Sequence, residues 1–170
     1  MTEPIVNKVA ESGIVTLDLE MFFPSNEKVC LLDLKEYLFM GLILKEKDFR
    51  EALKQLELKT FEHALVGVTC SADAIIPQWA YMLISAKISP VAKAVMMADS
   101  EEMIRHKYHI LQLQQMDVQP YQDKRMVIKG CGEQPMSSEA YLTITNRLMP
   151  VAKSIMYGEP CSTVPVYKRV

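Results

Sequence analysis

The stretch Ala80-Tyr-Met-Leu-Ile-Ser-Ala-Lys-Ile-Ser-Pro-Val-Ala-Lys-Ala-Val-Met-Met-Ala-Asp99 occurs twice in this chain. It returns sixty positions later as Ala140-Tyr-Leu-Thr-Ile-Thr-Asn-Arg-Leu-Met-Pro-Val-Ala-Lys-Ser-Ile-Met-Tyr-Gly-Glu159, and eight of the twenty positions are identical. With one residue of slip the match extends upstream, and His63-Ala-Leu-Val-Gly-Val-Thr-Cys70 lies against Lys124-Arg-Met-Val-Ile-Lys-Gly-Cys131. Each copy contains an apolar run, a cysteine, a helical segment and a second apolar run. This alternation predicts a duplicated β-α-β unit.

The duplication also predicts how the strands are ordered. Numbered along the chain, the four apolar runs begin near Ala64, Lys93, Arg125 and Ala152. Two β-α-β copies related by a dyad, each with a right-handed crossover, give the strand order 2-1-3-4. We therefore expect a three-layer α/β fold with a mainly parallel sheet, whose switch point lies between the first and third runs.

Residues 1–62 are expected to form the N-terminal part of a single domain that spans residues 1–170. Within this part, Gly13-Ile-Val-Thr-Leu-Asp-Leu19 and Lys28-Val-Cys-Leu-Leu32 have the composition of strands, and the turn residues between them predict a β-hairpin. Helical patterns follow and are interrupted near Gly41. In the duplicated part, residues 63–170, helices are predicted over 77–87, 99–115 and 137–149.

Composition limits the classes of function. The chain has 170 residues and a formal net charge of -2, which provides no basic surface for nucleic acid. No apolar run reaches the roughly 18–20 residues that a membrane span requires. The N-terminus lacks the basic and apolar regions of a signal peptide. We therefore expect a cytoplasmic protein that binds neither nucleic acid nor membrane, and whose four cysteines are thiols or metal ligands rather than disulfides.

Three cysteines follow predicted strands. Cys70 ends the first apolar run, Cys131 ends the third, and Cys161 follows the fourth by a few residues. Ligands of open parallel sheets collect beyond the carboxyl ends of the strands, so these three thiols are expected at one edge of the sheet. In the order 2-1-3-4, the first and third strands are neighbours, about 4.8 Å apart. Cys30 lies in the predicted hairpin and is interpreted as a small buried apolar residue.

Neighbouring thiols at this edge must stay protonated, oxidise to a disulfide or share a cation. Two thiolates about 4 Å apart repel by roughly 4 kcal/mol at an effective dielectric constant of about 20. A soft cation removes this repulsion, so Cys70, Cys131 and Cys161 are candidate ligands of zinc or iron. The candidates for a fourth ligand are Asp73, Glu133, Glu159, a water molecule and a sulfur-bearing substrate.

Other interpretations of these residues remain open. In one, Cys70 is a nucleophilic thiolate, and Asp73 or Glu133 carries the proton. In another, the cysteines are inert and partly buried. His106 and His109 lie three positions apart on a predicted helix and are a weaker candidate ligand pair, for which a solvated helix face is the simpler interpretation.

The cysteine-containing motifs resemble a known family. Val68-Thr-Cys-Ser-Ala-Asp-Ala-Ile-Ile-Pro77 with Trp79-Ala-Tyr81, then Ile128-Lys-Gly-Cys-Gly132, then Ser154-Ile-Met-Tyr-Gly-Glu-Pro-Cys-Ser-Thr-Val-Pro165 are similar to the uncharacterised bacterial domain-of-unknown-function family number 2480. The resemblance covers essentially the whole chain, including Leu42-Ile-Leu-Lys-Glu-Lys-Asp-Phe-Arg50. It brings no established activity, and it implies a link to iron–sulfur cluster assembly through neighbouring genes.

Two classes of function follow from these observations. The first is a protein that binds a soft metal or handles sulfur, with a three-cysteine site at the carboxyl ends of the strands. The second is a non-catalytic adaptor with structural cysteines, which binds a protein partner or forms a homodimer. The sequence leaves open whether the protein is an enzyme.

Overall fold

A computed structural model describes residues 13–129, 132, 134, 136–159 and 162–170. Its contacts divide the chain into two compact units. The central unit is Pro24–Tyr108, and the terminal unit combines Met1–Phe23 with His109–Val170. Each unit has its own sheet and its own cluster of buried apolar side chains.

The described elements alternate between strands and helices. The strands are β1 Ile14–Leu17, β2 Val29–Asp33, β3 Leu65–Thr69, β4 Ala94–Met97, β5 Arg125–Ile128, β6 Ser154–Glu159 and β7 Ser162–Lys168. The α-helices are α1 Glu46–Gln55, α2 Gln78–Ile88, α3 Glu101–Gln115 and α4 Ser138–Leu148. Short 3-10 helices cover Leu19–Phe22, Leu34–Tyr37, Leu58–Phe61 and Gln119–Tyr121.

The central unit contains a parallel sheet in the order β2-β3-β4. In β3, Leu65, Val66 and Val68 are all buried, as expected for an apolar strand covered on both faces. Helix α2 connects β3 to β4 and begins after Pro77, whose fixed φ suits a helix start. Every fourth residue of this helix faces the core: Ala80, Ile84 and Ile88.

The terminal unit contains the parallel strands β1, β5 and β6, and β7 pairs antiparallel with β6. Helix α4 connects β5 to β6, and the hydroxyl of its cap Ser137 accepts the N–H of Ala140 at 3.3 Å. The last strand, β7, was not predicted. It contains Pro165, which an edge strand tolerates because proline has no N–H to donate.

The two units repeat the same local structure at a constant offset of 60 positions. His63 and Asp123 precede β3 and β5 and have positive φ angles of 57° and 59°. Their N–H groups donate to the carbonyls of Val91 and Val151, each at 2.9 Å. The sequence offset of 60 therefore holds before the first strand of each β-α-β unit and again after the helix that follows it.

This constant offset makes the predicted one-residue slip wrong. Without the slip, Cys70 matches Gly130 in the sequence, and Ser71 matches Cys131. The two cysteines are therefore not equivalent positions of a repeat. Common ancestry of the two units stays a prediction.

The predicted strand order 2-1-3-4 is wrong, although a mainly parallel α/β fold is confirmed. That order requires β3 and β5 to be neighbours. Instead β3 pairs with β2 and β4, and β5 pairs with β1 and β6, so both edges of each strand are occupied. Strands β1 and β2, from the N-terminal region, complete the two sheets. Hydrophobic periodicity along the chain does not reveal pairing between distant strands. A three-layer arrangement and a single domain stay predictions.

The predicted N-terminal hairpin is also wrong, because β1 and β2 lie in different sheets. Asp18 directly follows β1 and Asp33 is the last residue of β2, and each carboxylate accepts the N–H of the second residue that follows it. This contact starts a 3-10 helix instead of a hairpin turn. The three helices predicted in the duplicated part are confirmed as α2, α3 and α4. Across the described residues, no helix combines the length and apolar character needed to cross a membrane.

Candidate functional site at the carboxyl edges of the sheets

The predicted metal site consists of residues that follow β3, β5 and β6. Cys70 and Asp73 lie in the described part of the chain. Cys131, Glu133 and Cys161 lie outside the described residues. Among the residues that are described, no group of three His, Cys, Asp or Glu side chains could hold a metal ion. The three-cysteine site therefore stays a prediction.

Cys70 is a half-buried thiol at the carboxyl end of the central sheet. Its Sγ donates to the carbonyl of Ala72 at 3.6 Å, and its side chain packs against the buried apolar cluster of the central unit. Burial raises the pKa of the nearby Tyr81 phenol, and the charge of a Cys70 thiolate would raise it further. Asp73 is exposed and makes no hydrogen bond or ion pair with another described residue. These contacts give no support to Asp73 as a proton carrier for Cys70.

Asp33 joins the end of β2 to the loop that follows Cys70. Its Oδ1 accepts the backbone N–H groups of Ser71 at 3.0 Å and of Lys35 at 2.9 Å. A hydrogen bond from the Ser71 side chain is the main cause that lowers the pKa of the Asp33 carboxyl, and the backbone bonds lower it further. Local hydrogen bonds thus satisfy this carboxylate and hold the loop after β3.

Asp18 has the equivalent place at the end of β1 in the terminal sheet. Its Oδ1 accepts the N–H of Glu20 at 3.0 Å, and its Oδ2 accepts a hydrogen bond from Lys129 Nζ at 2.7 Å. The bond from Lys129 is the main cause that lowers the pKa of the Asp18 carboxyl. The same bond raises the pKa of Lys129, and the charges of Glu20 and Glu159 add to that effect. One ammonium group therefore lies within the field of three carboxylates at this edge.

Glu20 holds part of the segment between β5 and α4. Its Oε1 accepts the backbone N–H of Gln134 at 2.6 Å. The carboxylate also occupies the space beside Gly132, where an added Cβ would lie 2.1 Å from Oε1. Any larger residue here would require the Glu20 carboxylate to move. These two contacts attach the described part of the loop to the carboxyl edge of the terminal sheet.

Asp18, Glu20 and Lys129 were not predicted from the sequence. A signal for the first was present in Leu17-Asp-Leu19, which recurs as Leu32-Asp-Leu34. In both places the aspartate follows a strand and caps a 3-10 helix. The motif does not reveal the partner Lys129, since 111 positions separate the two charged residues.

His109 is a core residue, contrary to the expected solvated helix face. It is 1% exposed, and its Nε2 lies 3.0 Å from the carbonyl oxygen of Leu19. Its ring meets Phe23 edge-on, with 5.4 Å between the ring centroids. His106, one turn earlier, is half-buried. His109 therefore combines packing with a hydrogen bond to the Leu19 carbonyl.

The resemblance of the cysteine-containing motifs to a known family can now be tested on the whole chain. No curated protein and no solved structure matches this sequence. The sequence pattern of the family described as Protein of unknown function (DUF2480) matches residues 3–169. The expected membership is confirmed, and the chain belongs to the DUF2480 family.

Proposed function

We propose that this protein binds a soft metal ion, or handles sulfur, through Cys131 and Cys161 at the carboxyl edge of the terminal sheet. The observation that supports this proposal is the parallel pairing of β5 and β6, in which Ile128 lies beside Tyr157. Parallel neighbours leave a sheet at the same edge, about 4.8 Å apart. The segment after β5 contains Cys131, and the two residues between β6 and β7 include Cys161.

Cys70 is not a required ligand in this proposal. It was grouped with Cys131 because β3 and β5 were expected to be neighbours, whereas β3 belongs to the central sheet. The Cys70 side chain also has local contacts, with the Ala72 carbonyl and with the apolar cluster of the central unit. The proposed site therefore has two sulfur ligands, and Cys70 becomes the variant that distinguishes it from a three-sulfur site.

The charges at this edge favour a bound cation. Lys129 is paired with Asp18, so the Glu20 and Glu159 carboxylates leave a local excess of negative charge among the described residues. The Glu159 carboxylate at the end of β6 is an oxygen donor of the kind that zinc accepts beside sulfur. Two thiolates, one carboxylate and one water would complete a tetrahedral zinc site with an exchangeable position. The same donor set would bind ferrous iron, in keeping with the link to iron–sulfur assembly that the family resemblance implies.

The test is metal binding by freshly purified, reduced protein, measured by competition with a chromogenic chelator. We expect about one zinc ion per chain in the wild type. Cys131→Ser and Cys161→Ser should each weaken binding by at least about 100-fold, since even loss of an outer-shell partner costs 10–100-fold. Cys30→Ser is the matched control, because Cys30 lies within β2 and its Sγ donates to the Thr60 carbonyl at 3.3 Å.

Cys70→Ser decides between two-sulfur and three-sulfur sites. The proposal expects wild-type affinity for this variant. A loss equal to that of the other two variants would restore the three-cysteine site and contradict the two-sulfur assignment. The proposal also fails if the wild type holds neither zinc nor iron in stoichiometric amount and its thiols do not react with a thiol reagent.

A second candidate function, an adaptor that forms a homodimer, is favoured by the exposed turn of residues 39–43. Phe39, Met40, Leu42 and Ile43 are 46%, 80%, 64% and 61% exposed. The Phe39 N–H donates to the Ile43 carbonyl at 2.7 Å, which closes the turn. Met40 has a φ of 53°, a conformation that costs a residue other than glycine about 1–2 kcal/mol. A strained turn that exposes four large apolar side chains is characteristic of an interaction surface.

Analytical ultracentrifugation tests the homodimer. We expect the wild type to sediment as a dimer and the double variant Met40→Glu, Leu42→Glu to sediment as a monomer with unchanged helical content. Met82→Glu is the matched control, because Met82 lies on α2 and is 71% exposed. A wild-type protein that is monomeric at every concentration would rule out this candidate.

A further inference from the structure

A basic cleft lies at the edge of the terminal sheet opposite to the proposed thiol site. It is formed by the amino ends of β5 and β6 and by the carboxyl end of β7, where Ser154 pairs with Lys168. Its volume is about 470 Å³. The lining combines three cations, two hydroxyl groups and two apolar side chains, which are Arg125, Lys153, Lys168, Ser154, Tyr167, Met156 and Pro165.

The three cations of this cleft have no ion-pair partner among the described residues. The nearby carboxylate is Asp123, and it is paired with Arg169. The hydrogen bond from Arg169 is the main cause that lowers the pKa of the Asp123 carboxyl, and Lys153 lowers it only through its charge. Asp123 is therefore ionised and already engaged, which leaves a local excess of positive charge in a concave surface.

The central unit shows that this charge is not a requirement of the fold. Lys93, sixty positions before Lys153, forms an ion pair with Glu27, with 2.5 Å between Nζ and Oε1. The residue that corresponds to Arg125 is Leu65, which is fully buried. The strand equivalent to β7 is absent from the described central sheet, whose order ends at β4. The cluster is therefore specific to the terminal unit.

We propose that this cleft binds a small phosphorylated molecule. A phosphate group carries up to two negative charges and three oxygen acceptors, which match the Arg125, Lys153 and Lys168 donors. The hydroxyls of Ser154 and Tyr167 can donate to the same oxygens. Arginine adds a planar pair of N–H donors that fits two phosphate oxygens.

The size of the cleft and the net charge of the chain favour a small ligand over a nucleic acid. The cleft volume of about 470 Å³ falls in the usual range of small-molecule sites, about 300–1,000 Å³. It exceeds the space that one phosphate needs, and Met156 and Pro165 offer an apolar surface for an organic group. The formal net charge of -2 opposes the extended electrostatic attraction on which nucleic-acid binding depends.

NMR titration of the full chain tests this proposal, with inorganic pyrophosphate, AMP and glucose 6-phosphate as probes at low ionic strength. We expect shifts of the amide signals of residues 153–156 and 166–168 with at least one probe. Arg125→Ala should weaken binding about tenfold and Lys153→Ala about three- to tenfold, since each removes a charge-assisted hydrogen bond at an exposed site. Arg125→Lys should retain part of the affinity. Lys47→Ala is the control, because it removes one exposed charge from α1.

The choice of probes identifies the source of the phosphate. Tighter binding of AMP than of glucose 6-phosphate would indicate a nucleotide, and the reverse would indicate a sugar phosphate; either result supports the proposal. The proposal is overturned if none of the three probes shifts these signals, or if Arg125→Ala and Lys153→Ala bind as tightly as the wild type. Binding of single-stranded RNA through the same residues, without binding of the small phosphates, would also overturn it.

Discussion

The central and terminal units use the same local structure and differ in how their polar side chains are satisfied. Asp33 in the central unit is bonded by Ser71 and Lys35 of its own unit, and Lys93 is neutralised by Glu27. In the terminal unit, Lys153, the counterpart of Lys93, lies in the basic cleft without a partner among the described residues. Closed hydrogen-bond networks stabilise a fold, whereas uncompensated charges are available to a ligand. The comparison therefore supports the proposals that place ligands on the terminal unit, and it indicates mainly structural roles for the polar residues of the central unit.

The buried positions of the two units differ as well. Phe49 on α1 and His109 on α3 are sixty positions apart, and each is 1% exposed. Phe49 meets Tyr37 edge-on at 5.3 Å, and His109 meets Phe23 edge-on at 5.4 Å. The histidine adds a hydrogen bond to a carbonyl that the phenylalanine ring cannot make. Similar aromatic packing is thus obtained with an apolar residue in one unit and a polar residue in the other.

The largest effect is expected when a buried residue of the terminal unit is placed in the central sheet. Val127 of β5 corresponds to Gly67 of β3, where an added Cβ would lie 2.6 Å from Ile104 Cδ1 and 3.1 Å from the Ala98 carbonyl oxygen. Gly67→Val should lower the free energy of unfolding by about 3 kcal/mol, because helix α3 must move away from the strand. Urea denaturation measures the change.

A second substitution shows whether this crowding is the cause. Ile104→Ala combined with Gly67→Val should recover part of the loss caused by Gly67→Val, because it removes the atoms that the new side chain meets. A Gly67→Val protein within about 0.5 kcal/mol of the wild type would show that the central unit accepts the residue of the terminal unit.

The next effect concerns the buried aromatic positions. His109→Phe makes the terminal unit resemble the central one, and it removes the partner of the Leu19 carbonyl. We expect a loss of about 1–2 kcal/mol in the free energy of unfolding, the usual cost of leaving one buried polar group without a hydrogen bond. Denaturation at pH 8, where a free histidine is neutral, provides the measurement. A variant as stable as the wild type would mean that packing alone determines this position.

The two strand-ending aspartates should differ in their dependence on pH. Both carboxyls have lowered pKa values, so the stability they contribute is present above about pH 3.9 and is lost as the pH falls through the lower folded-state pKa. Asp18→Asn and Asp33→Asn keep the capping oxygen and remove the charge, so each should cost up to about 1 kcal/mol at pH 7, the upper range for a partly exposed charge interaction. The difference from the wild type should disappear in acid for both variants.

Only the Asp18 variant should also converge with the wild type in alkali. Lys129 has a raised pKa because of Asp18, so its contribution is present below about pH 10.4 and is lost as the pH rises through the folded-state pKa. Asp33 accepts the backbone N–H groups of Ser71 and Lys35, and the Lys35 ammonium acts on its pKa only through its charge, the smallest of the causes. Denaturation curves between pH 2 and pH 11 measure these differences. Equal alkaline behaviour of the two variants would contradict the ion pair between Asp18 and Lys129.

The smallest effect on stability is expected for the two equivalent lysines, Lys93 and Lys153, and the two should differ. Lys93→Ala breaks a partly exposed ion pair with Glu27 and should cost about 0.5 kcal/mol. Lys153→Ala should leave stability unchanged or raise it slightly, because it relieves repulsion from the other cations of the cleft. Thermal unfolding at low and high salt measures both variants, and salt should reduce both effects. A larger loss for Lys153→Ala would indicate a structural role for the cleft.

The helices and most strands were predictable, because each depends on neighbours along the chain. Pro77 and Ser137 mark the starts of α2 and α4, and the apolar run before Cys70 marks β3. The strand order was not predictable from the same signals. β1 and β5 are more than a hundred residues apart, and their pairing leaves no periodic trace in either segment.

Only part of the candidate site could be predicted from the sequence. Cys70 does lie at the carboxyl end of a parallel strand, as expected from its position after an apolar run. Its grouping with Cys131 was inferred from a strand order that the structure does not have, and it stays a prediction. The charged residues Asp18, Glu20 and Lys129 were missed because only the folded sheet brings β1 beside β5.

By itself the sequence determined the local elements and the spacing of sixty residues at which they recur, because propensity, capping and hydrophobic periodicity act between near neighbours. Only the tertiary structure decided that two separate sheets form, that Lys129 meets Asp18, and that Lys153 joins the cations of a cleft. The physical reason is that backbone hydrogen bonds in a sheet accept any strand of suitable length. The packing of the whole chain therefore determines which strand each strand pairs with.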